Sequence, residues 1–193
     1  PPSLIREATD YFERAVVTRV YGSTEVPVTT VGVMDRNDAA HAADTDGRAG
    51  IARIKLVDSN GATAATGEIV AQGPQMLVGY IHPEDEATVF DIEGYYRTGD
   101  LGRWADENYL MIIGRSKDII IRNGENIAPK ELEDLLVDHP DIAEIAIVGL
   151  PDPRTGERAC AVIVPRGSAQ PDVASLHAFL DARGVAKFKI PEQ

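Results

Sequence analysis

The sequence predicts a mixed α/β and α+β fold in two parts: a β-rich part with a barrel-like or distorted sheet, then a compact α+β domain. Short apolar runs bounded by glycine fill residues 29–104, a pattern typical of short strands joined by turns. After Tyr109, strand-like runs alternate with segments whose leucines recur at helical spacing. With 193 residues, 44% of them hydrophobic, the chain has room for one large or two small domains, and we predict a division into residues 1–114 and 115–193.

The β-rich part is predicted to open with an amphipathic helix, because its apolar residues fall on one stripe between residues 4 and 15. Asn60 followed by Gly61 predicts a tight turn between two strands. Pro83 and the acidic residues behind it favour the start of a short helix. In chain order, the other predictions are a strand over 16–21, a polar surface loop over 35–48, strands over 51–57, 67–71 and 76–80, and the short helix within 82–90.

The second part is predicted to be a small α+β domain with two amphipathic helices, over residues 129–139 and 172–183. The apolar faces of these helices consist of Leu132, Leu135 and Leu136 in the first and of Val173, Leu176 and Leu180 in the second. Strands are predicted over 109–113, 118–122, 142–149 and 158–165.

The composition excludes several classes of protein. The net charge of -12 is shared by both halves, so a nucleic acid would be repelled. Apolar stretches fall far short of the roughly 20 residues that a membrane-spanning helix needs, which leaves only peripheral membrane contact open.

Cys160 is the only cysteine and lies in an apolar run, so we predict a buried thiol and a reducing, cytoplasmic compartment. The histidines lack metal-ligand spacing, and the oligomeric state stays open.

The first motif is Tyr21-Gly22-Ser23-Thr24-Glu25, which follows the predicted strand over 16–21. Glycine lets a backbone approach a ligand, the hydroxyls can donate hydrogen bonds, and a glutamate oxygen can bind Mg²⁺. The tyrosine ring offers a flat face to a base. A polar turn after a strand explains the same residues without a ligand.

The second motif spans residues 95–101 and contains Asp100 after a glycine. A carboxylate at the end of a strand can accept hydrogen bonds from both hydroxyls of a ribose, so Asp100 is a candidate ribose ligand. The alternative is structural: Asp100 caps a turn and pairs with Arg97.

The third motif begins at Gly114 and places a dense polar cluster between two apolar runs. A few residues in such a segment can absorb a large change of backbone dihedral angles, which suits a hinge. Asn123 and Gly124 predict a tight turn further on. The alternative is a plain β-hairpin in which residues 112–113 lead in, residues 119–121 lead out, and the charges face water.

Together the three strings YGSTE, YRTGDL and GRSKDIIIRNGENIAPKELE resemble, in their order and spacing, the ANL superfamily. This superfamily contains acyl-CoA synthetases, nonribosomal peptide adenylation domains and beetle luciferases. The resemblance covers nearly the whole chain and implies the end of a large AMP-binding domain followed by a small mobile domain. It implies an enzyme that joins a carboxylate to the α-phosphate of ATP, releases pyrophosphate, and transfers the acyl group from AMP to a thiol.

The resemblance also implies ligands and residue roles. The cofactors would be ATP, Mg²⁺ and CoA, and the substrate a carboxylic acid, with a fatty acid favoured. Carried over from the first motif, Tyr21 would contact the adenine or line the acyl pocket, Gly22 would line the ATP site, Thr24 would contact the phosphates, and Glu25 would bind Mg²⁺. From the second motif, Asp100 would hold the ribose hydroxyls. From the third motif, Arg115 would contact the nucleotide, Lys117 would be the hinge, and the CoA channel would be lined by Gly124, Glu125 and Asn126.

Two parts of that family's active site are expected outside these residues: a phosphate-binding loop far before YGSTE, and a catalytic lysine beyond residue 193. We therefore expect the chain to be an inactive fragment by itself, with Lys187 and Lys189 on the surface of its last strand. An adenylating enzyme that loads a carrier protein and a non-catalytic nucleotide-binding homologue remain alternatives. The string IIIRNGENIAPKELE favours the CoA ligases over peptide synthetase modules.

Overall fold

The computed structural model describes the backbone of residues 1–193 and every side chain except that of Glu107. It divides into two compact units, Pro1–Ile113 and Gly114–Gln193, one residue before the predicted division. We call these the first unit and the second unit. Both combine short helices with antiparallel strand pairs, which confirms the predicted mixed fold class.

The first unit is built on a six-stranded sheet. Its elements are α1 (Pro2–Tyr11), β1 (Thr30–Val31), α2 (Ala39–Asp44), β2 (Arg48–Ala49), β3 (Arg53–Val57), β4 (Thr66–Gln72), β5 (Tyr96–Ala105) and β6 (Tyr109–Arg115), with 3₁₀ turns at Pro83–Glu86 and Asp106–Asn108. The strand order is β1-β2-β6-β5-β4-β3. Between β3 and β4 the Gly61 N–H donates to the Asp58 oxygen over 3.0 Å at a φ of +80°, which confirms the predicted turn.

Both faces of the sheet are covered at β4. Side chains alternate along a strand, so Ile69 and Ala71 lie on one face and Val70 on the other, and all three are buried. On the first face, Ile69 packs with Leu56 and Leu110, and Ala71 packs in a cluster with Val26 and Tyr96. On the other face, Val70 packs with Val57 and Tyr95. The sheet therefore supports side chains from the loops on either side of it.

Two strands predicted in the first unit are wrong. Within the described chain, residues 16–21 form no strand, because side-chain hydroxyls take the place of some backbone hydrogen bonds that would pair two strands. The Tyr21 N–H donates to Thr30 Oγ1 (2.7 Å), and the Val33 N–H donates to Thr18 Oγ1 (3.0 Å). Residues 76–80 form a loop instead of a strand. Met76, Leu77 and Tyr80 pack onto the cluster around Ala71, whereas Val78 is fully exposed, so most of the segment's hydrophobicity reflects packing of a loop on the sheet.

The predicted surface loop over residues 35–48 is also wrong in its middle. Asp38 accepts a hydrogen bond from the His41 N–H and begins α2, whose Ala42 and Ala43 are buried. Because the alanine side chains are small, this part of α2 can pack closely. The helix predicted within 82–90 is reduced to the 3₁₀ turn Pro83–Glu86.

The second unit is a four-stranded sheet covered by two helices. Its elements are β7 (Ile120–Arg122), β8 (Glu125–Ile127), α3 (Pro129–Leu136), β9 (Ile142–Asp152), β10 (Gly156–Pro165) and α4 (Val173–Asp181), and the strand order is β8-β7-β10-β9. Asp172 caps α4 by accepting the Ser175 N–H over 2.8 Å. The predicted helices and strands of this part are present, with ends that differ by a few residues.

The core of the second unit lies between this sheet and its helices. Leu132, Leu136, Leu176 and Leu180 are buried there, as their helical spacing predicts, whereas Val173 at the start of α4 is 37% exposed. Cys160 corrects the prediction of a buried thiol. Its neighbour Ala159 points into the core, so Cys160 points to the opposite side of β10 and is only partly buried.

The lysines near residue 190 lie in a 3₁₀ turn, Lys187–Lys189, and not in the predicted last strand. Lys189 Nζ contacts Glu131 of α3 at 2.7 Å. This ion pair connects the turn to the helix. Among the described residues, no helix is long and apolar enough to span a bilayer.

His41 lies between two carboxylates in the first unit. Its Nδ1 is 2.7 Å from Asp38 Oδ1, its Nε2 is 2.8 Å from Asp106 Oδ2, and its ring stacks on Tyr109. The hydrogen bond with Asp106 and then that with Asp38 raise the pKa of His41, against a lowering effect of burial. Since both ring nitrogens face carboxylates, the structure favours the protonated ring.

We expect the free energy of unfolding to fall as the pH rises through the folded-state pKa of His41. The protonated ring stabilises the fold fully below the pKa of the unfolded chain, about 6.5, and this contribution is lost above the raised, folded-state pKa. Urea unfolding of the chain between about pH 5 and pH 8 measures the slope. His41→Gln should lack this part of the slope; a variant that keeps the wild-type slope would contradict the assignment.

Candidate functional site

The first motif is a tight turn that its own side chains stabilise. The Val26 N–H donates to Ser23 Oγ at 3.2 Å, and the Ser23 N–H donates to the Val26 oxygen at 3.3 Å. A Cβ added to Gly22 would lie 2.8 Å from the Val28 nitrogen, so the turn requires glycine there. Thr24 is exposed at this turn, and Glu25 is half-buried.

The second motif lies in the middle of β5, whereas the sequence predicted the end of a strand. On β5, Arg97 pairs with Val70 of β4, and Leu101 pairs with Glu68 of β4. The three residues 98–100 therefore lie opposite the single residue Ile69 and form a bulge. Gly99 has a φ of +72°, which favours glycine. Thr98 closes the bulge: its Oγ1 donates to the Ile69 oxygen at 2.8 Å and accepts the Asp100 N–H at 3.1 Å. The bulge therefore sets the direction of Asp100.

The structure brings the first two motifs together. The Tyr21 hydroxyl donates to Asp100 Oδ2 over 2.6 Å, a hydrogen bond between residues 79 positions apart in the chain. Hydrogen bonds to a carboxylate are short and stronger than those between neutral groups. Arg97, the predicted partner of Asp100 in the structural alternative, forms its ion pair with Glu68. Tyr21 therefore orients the carboxylate that the sequence indicates as the ribose ligand.

A buried ion pair supports this site and was missed from the sequence. Arg19 contacts Asp46 at 2.9 Å, with 15% and 12% of their side chains exposed. Asp46 Oδ2 also accepts the Ile112 N–H at 2.8 Å, and the Thr30 hydroxyl donates to the Asp46 backbone oxygen at 2.5 Å. The pair thus connects the segment before Tyr21 to strand β6. A single aspartate in a polar, alanine-rich stretch carries no sequence signal for this role.

Glu25 is held by the loop over residues 76–80. The Glu25 backbone oxygen accepts the Leu77 N–H at 2.8 Å, and its Oε1 accepts the Tyr80 hydroxyl at 3.4 Å. The described residues contain no cluster of three or more side chains of the kinds that bind metals. Mg²⁺ nevertheless fits a single carboxylate, because it is usually held by one or two carboxylates together with substrate phosphates and water.

The third motif, which begins at Gly114, lies in the second unit, and Gly114 and Arg115 are also the last two residues of β6. Arg115 and Lys117 are exposed, with Lys117 in the 3₁₀ turn Ser116–Asp118. The hairpin alternative placed β6 and β7 side by side, but these strands lie in different sheets. The hairpin instead joins β7 to β8 through Asn123 and Gly124, both with positive φ, which confirms the predicted tight turn.

The tip of this hairpin is exposed and well anchored. The Asn123 N–H donates to the Thr155 oxygen at 2.8 Å. Gly124 has a φ of +81°, and a Cβ added to it would meet nothing within 4 Å. Glu125 and Asn126 are exposed beside it. A Cβ at position 124 would therefore lie in open space, although the positive φ favours glycine there.

Comparison with known proteins identifies the family. Residues 131–193 match the model of the AMP-binding enzyme C-terminal domain. The chain is 40% identical over 179 residues to the medium-chain fatty-acid–CoA ligase of Escherichia coli (strain K12), an alignment that covers 90% of this chain. This chain belongs to the ANL superfamily of adenylate-forming enzymes.

Other ANL relatives differ in name and in acceptor. The salicyl-AMP ligase / salicyl-S-ArCP synthetase of Mycobacterium tuberculosis is 42% identical over 144 residues, 72% of this chain. The structure of o-succinylbenzoate CoA synthetase from Bacillus subtilis, in complex with its acyl-adenylate intermediate, superimposes with a TM-score of 0.86 at 30% identity over all of this chain. The chain spans 31%, 25% and 39% of the Escherichia coli, Mycobacterium and Bacillus proteins.

Proposed function

We propose that this chain acts within an ATP-dependent ligase that activates a carboxylic acid as its acyl-adenylate and then transfers the acyl group to the thiol of CoA. The observation that carries the proposal is the hydrogen bond from Tyr21 to Asp100, since it joins two motifs into one polar site. A fatty acid is the favoured substrate. The name of the Escherichia coli relative supports this choice, as does the string IIIRNGENIAPKELE.

The chemistry explains why such a site is useful. A carboxylate is a poor electrophile, so one of its oxygens first attacks the α-phosphate of ATP, and the bond from the α-phosphorus to pyrophosphate breaks. The acyl-adenylate then carries AMP as its leaving group. In our proposal Asp100 accepts hydrogen bonds from the ribose hydroxyls, Tyr21 orients Asp100, and Gly22 and Thr24 line the phosphates. Mg²⁺, held by Glu25, would neutralise charge on the phosphates.

The second unit supplies the other half of the proposal. Arg115 would contact the nucleotide, and Lys117 would lie at the pivot about which the small domain turns. Both are exposed; Arg115 is the last residue of strand β6, and Lys117 lies in the 3₁₀ turn that follows it. The exposed hairpin tip at Gly124, Glu125 and Asn126 would line the path of the CoA thiol. The open space in front of Gly124 is the observation that supports this role.

Loading of a carrier protein is the second candidate function. The similarity to a salicyl-S-ArCP synthetase favours it, because that name describes an acyl group on ArCP and not on CoA. The two candidates share the adenylation step. They differ only in the thiol that receives the acyl group.

Acid-dependent pyrophosphate release tests the proposal. The complete polypeptide to which these residues belong is incubated with ATP, Mg²⁺ and a panel of fatty, aryl and short-chain acids, and thioester formation is then followed with CoA or with a carrier protein. We expect release with fatty acids and thioester with CoA. Thioester formed only with a carrier protein would favour the second candidate. No release with any acid would favour a non-catalytic nucleotide-binding homologue.

We expect Asp100→Asn to weaken the use of ATP through the ribose. Loss of a hydrogen bond to a charged group costs about 1.5–3 kcal/mol, so the KM for ATP should rise about tenfold or more. The preference for ATP over 2′-deoxy-ATP should shrink in the same variant, because the lost contact is to the hydroxyl. Tyr21→Phe should raise the KM less. An unchanged preference for ATP over 2′-deoxy-ATP in Asp100→Asn would contradict the ribose assignment.

A further inference from the structure

Two tyrosines of the first unit form a chain of hydroxyl groups that ends at Glu25. The Tyr80 hydroxyl lies 3.4 Å from Glu25 Oε1 and 3.3 Å from the Tyr96 hydroxyl. Tyr96 is 8% exposed and packs in the cluster around Val26 and Ala71. None of the three sequence motifs gave a role to either hydroxyl.

Tyr80 is fixed from several sides. Its backbone N–H donates to Glu86 Oε1 at 2.8 Å, and its ring packs against the same apolar cluster. Leu77 of the same loop donates its N–H to the Glu25 backbone oxygen at 2.8 Å. The loop over residues 76–80 therefore contacts both the backbone and the carboxylate of Glu25.

The direction of the hydrogen bond to Glu25 follows from the chemistry of the groups. An ionised carboxylate can only accept a hydrogen bond, so the Tyr80 hydroxyl donates to Glu25 Oε1, and the Tyr96 hydroxyl lies 3.3 Å from the same Tyr80 oxygen. Tyr80 is therefore the hydroxyl that contacts Oε1 of Glu25, and Tyr96 lies behind it in the apolar cluster.

We propose that Tyr80, supported by Tyr96, is a positioning residue that holds Oε1 of Glu25 and thereby directs the other carboxylate oxygen toward a divalent cation. The inference rests on the proposed function, in which Glu25 binds Mg²⁺. Partners that hydrogen-bond to a metal-binding carboxylate fix its orientation, and their loss typically lowers metal affinity about 10–100-fold. The long hydroxyl distances place the expected effect at the lower end of this range.

The test measures Mn²⁺ binding by electron paramagnetic resonance in the complete polypeptide with a non-hydrolysable ATP analogue. Tyr80→Phe should raise the Kd for Mn²⁺ about tenfold, and Tyr96→Phe should raise it by a smaller factor. The affinity for AMP without metal should stay at the wild-type value in both. Tyr95→Phe is the matched control, because Tyr95 is buried on the opposite face of the sheet with Val57 and Val70.

Glu25→Gln separates the two levels of the inference. If Glu25→Gln weakens Mn²⁺ binding and Tyr80→Phe does not, the positioning role is overturned while the proposed role of Glu25 stands. If Glu25→Gln leaves Mn²⁺ binding unchanged, the metal role of Glu25 in the proposed function is itself overturned, and the positioning role with it. Thermal unfolding of each variant checks that the fold is kept. If Tyr80→Phe lost AMP affinity and Mn²⁺ affinity to the same extent, the role of Tyr80 would be merely structural, and the inference would be overturned.

Discussion

Replacement of Gly124 with tryptophan is expected to lower the rate of thioester formation about 100-fold while the acid-dependent release of pyrophosphate continues. The large side chain would extend into the open space before Gly124, which is where the proposal places the path of the CoA thiol. In the proposed mechanism, adenylation does not use this path. Separate assays of pyrophosphate release and of thioester formation in the complete polypeptide measure the two half-reactions.

Gly124→Ala is the matched control for the backbone. Gly124 has a φ of +81°, so alanine and tryptophan share the strain of the left-handed conformation, about 1–3 kcal/mol, and differ only in size. We expect the alanine variant to keep both half-reactions. Loss of both half-reactions to the same extent in Gly124→Trp, with the alanine variant active, would contradict a channel at this position.

Removal of one partner of the Arg19–Asp46 pair is expected to destabilise the first unit by about 3–5 kcal/mol, since the remaining charge would be buried without its counter-ion. Both side chains are largely buried, and Asp46 also binds the Ile112 N–H. Arg19→Met is the cleaner variant, because it keeps the hydrogen bond to Ile112. Urea unfolding of the chain, followed by far-ultraviolet circular dichroism, measures the change.

An exposed ion pair provides the control for this prediction. Arg6 and Asp44 lie 2.5 Å apart, with 54% and 47% of their side chains exposed, so Asp44→Asn should cost at most about 1 kcal/mol. The double variant Arg19→Met/Asp46→Asn should recover part of the stability lost in Arg19→Met, because no unpaired charge remains. An Arg19→Met variant as stable as the wild type would show that the pair does not support the fold.

The second unit could be predicted well from the sequence because its signals are local. The leucines of α3 and α4 recur at helical spacing, and all four that the structure buries were identified by that spacing. Asn123 and Gly124 specify a tight turn through their preference for positive φ. Local periodicity decides such elements, and long-range contacts then change only their ends.

The candidate site could be predicted only in part, because its geometry depends on contacts between distant residues. Tyr21 and Asp100 were each indicated by a motif, but no local signal connects two residues 79 positions apart. Asp46 and Tyr80 were missed because their roles come from the residues that fold against them. The same cause explains residues 76–80, of which Met76, Leu77 and Tyr80 pack as part of a loop on the sheet.

Cys160 shows the limit of reading burial from an apolar run. Residues 159–164 are all apolar, yet side chains on a strand alternate, and only one face of β10 points into the core of the second unit. Ala159 lies on that face and Cys160 on the other. Hydrophobicity identified the strand correctly, but it did not determine which of its residues are buried.

The fate of the carboxylate oxygen tests the central claim most directly. The complete polypeptide is supplied with ATP, CoA and a fatty acid labelled with oxygen-18 in its carboxyl group, and the products are analysed by mass spectrometry. If the acid is activated as an acyl-adenylate, one labelled oxygen remains on the phosphate of AMP after the acyl group has moved to the thiol. Unlabelled AMP, or ADP with a labelled inorganic phosphate, would contradict adenylation.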